Sequence, residues 1–190
     1  WLHGLLEENC KTVLGVDINR DAVDYVNEQG FARSPVYYAD VTADDFAERI
    51  PCRGEGMDFV LLGEILEHVD NPVSFLQLLC KNMRHIGFRG RYLITVPNAF
   101  AMMRGGAYAN WAELINTDHR YWFTPYTAAK VLVSAGMIPE ELWFVNYDNY
   151  AVEKEYQADQ IIIMGAVETG EEQAYDQAEV RRKSAQLEKI

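Results

Sequence analysis

The run Gly63-Glu64-Ile65-Leu66-Glu67-His68 puts two carboxylates and an imidazole close together in the chain. If residues 64–68 are helical, Glu64, Glu67 and His68 stand at i, i+3 and i+4 and face one way. A trio of that kind can hold a divalent metal ion or act as an acid/base cluster. On a solvated turn it would be polar decoration and nothing more. A second imidazole, His119, sits in the stretch NTDHRYWFTP. It suits a fourth metal ligand or a general base, and a structural or exposed histidine would read the same way. Trp111, Tyr121, Trp122 and Phe123 can line a pocket for an acceptor molecule or simply pack together.

These residues need elements to position them. Residues 12–17 (TVLGVD) form a short β-branched run that reads as a buried parallel strand ending in an acid. Asn19 can cap the helix that follows, and Gly30 can end it. Residues 36–38 read as a second strand, residues 42–49 as a short helix and residues 58–62 (DFVLL) as a third strand. Asp70 or Asn71 caps a helix over residues 71–85, with Pro72 in its first turn. Residues 91–96 (RYLITV) form another strand, stopped by Pro97. After a long connection over residues 98–123, Thr124-Pro125 starts a helix that ends at Gly136. Residues 142–147 and 160–166 suit two closing strands in a hairpin, and residues 171–189 a charged helix. Strands alternating with helices imply a three-layer α/β architecture, a mostly parallel sheet covered on both faces.

Ligands of such sheets bind beyond the carboxyl ends of the strands. Asp17, ending the first strand, can accept both hydroxyls of a ribose, or it can cap the next helix. Ile18 can pack on a flat ring or belong to the core. Asp40 can accept from an adenine amino group while the backbone of Val41 reads the ring, or it can cap residues 42–49. The Glu64–His68 segment follows the third strand and therefore stands at the same edge.

Composition narrows the class. The chain has 190 residues and is 49% hydrophobic, enough for one folded domain. No run approaches the roughly 20 apolar residues of a membrane helix, and the opening Trp1-Leu2-His3 does not read as a signal peptide. Cys10, Cys52 and Cys80 are odd in number and far apart, which suggests a reducing, cytoplasmic setting. A formal net charge of −12 disfavours a nucleic-acid partner. The one dense basic cluster, Arg181-Arg182-Lys183, reads as a solvated helix face. No oligomeric state is specified.

Taken in order, VLGVDINRDAVDYV, YYADV, DFVLLGEILEHVDNP, RYLITVPN and HRYWFTPYTAAKVLVSAGM resemble the motifs of class I S-adenosylmethionine (SAM)-dependent methyltransferases. The resemblance implies a Rossmann-like fold with a seven-stranded sheet, formed by residues 1–166 and followed by a charged C-terminal helix at 167–190. It implies SAM as cofactor, with Asp17 on the ribose, Ile18 on the adenine face, Asp40 and Val41 on the adenine edge, and Gly63 near the methionine portion. The family's first strand and glycine-rich loop would precede the helix at residues 1–8, so the natural protein is expected to carry them upstream. DFVLLGEILEHVDNP is also similar to ubiquinone-pathway O-methyltransferases and to small-RNA 2′-O-methyltransferases, which hold a divalent ion on an E-x-x-E-H arrangement. That narrower resemblance implies Mg²⁺ or Mn²⁺ on Glu64, Glu67, His68 and His119. The expected activity is O-methylation of a small molecule, a sugar or a phenolic metabolite, with His68 or His119 removing the acceptor proton. Three other readings stay open: a catalytically inactive SAM-fold binding module, a metal-dependent RNA 2′-O-methyltransferase, and a nicotinamide dehydrogenase, in which EILEHV and HRYWFTP would have no role.

Overall fold

The computed structural model describes residues 2–102, 116–146 and 159–167. The charged C-terminal helix, Trp111 and the basic cluster at residues 181–183 lie outside them. The described elements run α1 Leu2–Asn9, β1 Gly15–Asp17, α2 Arg20–Glu28, β2 Val36–Tyr38, α3 Phe46–Arg49, β3 Phe59–Gly63, α4 Pro72–His85, β4 Arg91–Pro97, α5 Ala99–Met102, α6 Pro125–Ser134, β5 Met137–Val145 and β6 Gln160–Val167. The chain is α/β, as its alternating pattern implies. No helix among the described residues is long and apolar enough to cross a membrane.

Two compact units divide the chain, and the division falls inside α4. The first comprises Trp1–Gly56 with Leu78–Phe88, and carries a two-stranded parallel ladder in which Gly15, Val16 and Asp17 pair with Val36, Tyr37 and Tyr38. Asn19 caps α2 by accepting from the Ala22 N–H at 3.1 Å, and the helix ends at Gly30, where φ is +64°. Val23, Ala39, Phe46, Leu79, Met83 and Phe88 are buried in this unit. Gly54 approaches Phe88 so closely that a Cβ on it would stand 2.4 Å from the Phe88 nitrogen, so only glycine fits there.

The second unit comprises Met57–Gln77 and the described residues from Arg89 onward. Its four strands lie in the order β3-β4-β6-β5. β3 and β4 are parallel, with Gly63 opposite Thr95. β6 runs antiparallel to both β4 and β5, which gives the closing hairpin that the sequence implies and makes the sheet mixed. β5 begins earlier than its sequence pattern suggests. Gly136 adopts φ +84° directly after α6 and turns the chain straight into Met137. α6 is well specified at its start: Thr124 and Thr127 form a reciprocal cap and Pro125 occupies the first turn. Tyr92, Ile94, Val96, Leu132, Met137, Ile161 and Ile163 are almost wholly buried and form the core of this unit.

Two local expectations change. Only Phe46–Arg49 is helical within 42–49. Asp40 does not cap that helix; its carboxylate accepts from the N–H and hydroxyl of Thr42 at 2.8 and 2.7 Å, closing a tight side-chain turn just after β2. Residues 64–68 are not helical either. Glu64 takes φ +53° and the chain continues as a turn, with the His68 N–H on the Ile65 carbonyl at 3.0 Å.

Candidate active site

In the first unit, Asp17 ends β1 opposite Tyr38, the last residue of β2, and Asp40 follows two residues later. Asp17 is exposed, and one of its oxygens accepts from the Asn19 N–H at 2.7 Å. Ile18 is 66% exposed, which removes it from the core and leaves an apolar side chain at a polar sheet edge. Asp40 is exposed as well. The Val41 carbonyl is held by the side-chain amide of Asn82 at 2.9 Å. An open carboxylate, an uncovered aliphatic face and a second carboxylate at adjacent strand ends fit the edge and face of a nucleoside.

In the second unit, a cavity of about 460 Å³ is lined by Glu64, Glu67, His68, Asn98, Asn116, His119, Trp122 and Asp159, among others. Glu67 is completely buried, and neither of its carboxylate oxygens meets a hydrogen-bond partner among the described residues. Oε1 lies 3.8 Å from His68 Nε2. Burial, reinforced by the negative charge of Glu64, pushes the Glu67 carboxyl up to about 7. His68 and His119 meet edge to face with ring centroids 4.7 Å apart. His119 Nδ1 is buried without a hydrogen-bond partner among the described residues, and its Nε2 lies 3.4 Å from the Asn116 amide. Trp122 stands against His119 at 5.8 Å.

Three of the four residues anticipated as metal ligands therefore converge. One donor atom each from Glu67, His68 and His119 lies within 4.8 Å of the other two. Glu64 does not join them through a shared helical face. Its Oε1 instead accepts from the Thr95 hydroxyl at 2.9 Å, and its N–H bonds the Thr95 carbonyl at 3.2 Å, extending the β3–β4 ladder by one residue. Gly63 ends β3 just before that kink. Of the aromatics, Trp122 lines the cavity and Phe123 is core, while Tyr121 is partly exposed and donates its hydroxyl to the Asp70 carbonyl at 2.6 Å.

Asn98 and Asp159 were not apparent as site residues. Asn98 is 1% exposed, and its N–H donates to the Asp159 carbonyl at 2.9 Å. A polar residue directly after a buried strand and its terminating proline was the available signal for Asn98. Asp159 has no comparable local signature, because β6 brings it to the cavity from far along the chain.

Residues 1–88 match the family described as "Methyltransferase domain". A ubiquinone biosynthesis O-methyltransferase of Aeromonas salmonicida is 27% identical over 158 residues, covering 76% of this chain and 63% of that protein. This chain thus spans less than two thirds of that relative's length. Among solved structures, the small RNA methyltransferase HEN1 matches with a TM-score of 0.60 and 14% identity over 90% of this chain and 22% of its own. An S-adenosylmethionine-dependent methyltransferase from Clostridium acetobutylicum matches with a TM-score of 0.52 and 10% identity, over 85% and 77% of the two chains. At such identities the structural matches establish the fold alone. Residues 1–88 are thus similar to a methyltransferase domain, and the chain shares the fold of solved SAM-dependent methyltransferases.

Proposed function

We propose that this protein transfers a methyl group from SAM to an oxygen of a small hydroxylated molecule, a phenol or a sugar. One observation carries the reading: a buried carboxylate without a hydrogen-bond partner among the described residues and two imidazoles packed edge to face line a single cavity. Asp17 would hold the ribose hydroxyls, Ile18 would cover the adenine face, Asp40 and Val41 would take the adenine edge, and Gly63 would lie beside the methionine portion. SAM held there would supply an activated methyl group to the acceptor oxygen, the carbon–sulfur electron pair leaving with sulfur. His119, whose buried Nδ1 has no competing partner among the described residues, would take the acceptor's proton. Because the sulfonium is already activated, the protein's part is orientation and removal of that proton.

A second reading has its own support in the convergence of Glu67, His68 and His119 donors. Two imidazoles and a carboxylate suit Mn²⁺ better than Mg²⁺, which prefers oxygen ligands throughout. A bound ion would polarise the acceptor oxygen, and His119 would then hold the ion and not the proton. The name of the Aeromonas relative favours a small-molecule acceptor, and the net charge of −12 disfavours an RNA one.

Incubation with methyl-labelled SAM and either catechol or a small RNA duplex tests the proposal. Label is expected in catechol, not RNA, whether or not excess chelator is present. Loss of transfer in chelator with recovery on Mn²⁺ would favour the metal reading. Label confined to RNA would overturn the acceptor class. Tight binding of S-adenosylhomocysteine with no transfer to any hydroxylated acceptor would point to an inactive binding module.

A further inference from the structure

His119 and its neighbours Glu67 and His68 come from segments that are neither helix nor strand, and their mutual spacing needs an external support. The far end of the His119 segment is tied down: the Ala99 N–H donates to the Phe123 carbonyl at 2.8 Å. Next to His119 itself, the contacts come from Arg120. Its backbone N–H donates to the Glu67 carbonyl at 2.7 Å. One guanidinium nitrogen donates to the His68 carbonyl at 2.5 Å and reaches the Asp118 carbonyl at 3.4 Å. Nε donates to the Asp70 carboxylate at 2.7 Å, and Tyr121 adds its bond to the Asp70 carbonyl. Arg120 therefore grips the backbone of both residues that His119 must meet.

The stability this brings is small. The Asp70 side chain is 90% exposed and that of Arg120 about half, so the ion pair is screened by water. What the contacts specify is register. A guanidinium presents several N–H groups in a rigid fork and can hold a carbonyl and a carboxylate together, whereas an ammonium acts as a single point charge. We infer that Arg120 is a positioning residue for this site: it sets His119 against Glu67 and His68 without touching the acceptor. The inference rests on the reading of the cavity as the reaction site, and its main readout does not depend on turnover.

The experiment is carbon-13 NMR of the four histidine rings in the natural protein and in Arg120→Lys, with thermal melting and kinetics alongside. Packed edge to face at 4.7 Å, His68 and His119 carry ring-current shifts that identify them. In Arg120→Lys those two signals are expected to move at least halfway to free-imidazole positions, while His3 and His85 hold. The kcat is expected to fall roughly 10- to 100-fold, as when other supporting-shell contacts are lost, with KM for SAM within about 2-fold. The melting temperature should drop by no more than about 3 °C, in line with an exposed pair. Asp70→Asn, which keeps the bond to the His68 carbonyl, should give a smaller movement of the same two signals. Unmoved His68 and His119 signals in Arg120→Lys would overturn the inference whatever happens to kcat. So would movement of all four signals with a steep loss of melting temperature, which would mark Arg120 as part of the fold. A parent protein without turnover would remove the methyltransferase reading, and the ring signals would still decide whether Arg120 sets the register.

Discussion

At pH 8, with divalent ions chelated, Glu67→Gln is expected to be more stable to urea than the parent protein by about 3 kcal/mol. The reason is the burial of a carboxylate whose oxygens find no hydrogen-bond donor among the described residues. In the unfolded chain that group ionises near its ordinary value of 4.5; in the folded chain the value is about 7. Between these values the folded protein keeps a proton that the unfolded protein releases. The associated stability is fully present below pH 4.5 and is lost as the pH rises through 7. An amide in the same place has no charge to bury, so the two proteins should be about equally stable near pH 4.5, diverge between pH 4.5 and 7, and differ by a constant amount above that. For a chain of this size the gain corresponds to roughly 6–12 °C in melting temperature. Urea titrations at pH 4.5 and pH 8 measure it directly. A gain of equal size at both values, or no gain at pH 8, would show that Glu67 is not held as a buried, proton-seeking carboxylate.

The same substitution should cost activity, but the larger catalytic loss belongs to His119. His119→Ala is expected to lower kcat by about 10²- to 10⁴-fold, the usual worth of a positioned general base. Binding of SAM should be little changed, because the proposed nucleoside contacts lie on residues 17–41. Exogenous imidazole offers a sharper check. It should restore part of the activity if His119 carries a proton, and none if it serves only as packing against Trp122 at 5.8 Å. A fall in kcat of less than about 5-fold would set His119 outside the range expected of a general base.

What could be read in advance follows the range of the interactions involved. α6 was legible because Thr124, Pro125 and Thr127 specify its start within four residues. β3 and β4 were legible as apolar runs with polar ends. Asp17 and Asp40 were legible as acids closing two short strands, and the parallel register sets Asp17 opposite Tyr38, two residues before Asp40. The convergence of Glu67, His68 and His119 was also legible as residue types, but not by the helical spacing first assumed for it. Glu64 departs because Thr95, 31 residues later, supplies both a carbonyl and a hydroxyl just where β3 ends. A contact of that separation leaves no trace in local periodicity. Arg120 gives no signal for the opposite reason: beside a histidine, a charged residue reads as solvated surface until its four acceptors are seen.

The account depends above all on the two carboxylates at the ends of β1 and β2. Calorimetric titration of the natural protein with S-adenosylhomocysteine, repeated on Asp17→Asn and Asp40→Asn, addresses them most directly. Asp17→Asn is expected to weaken binding about 10- to 100-fold, the worth of charge-assisted hydrogen bonds to two hydroxyls, and Asp40→Asn by a smaller factor. Binding of equal strength in all three proteins would mean that the nucleoside is held elsewhere, and the assignment of this edge to the cofactor would fall.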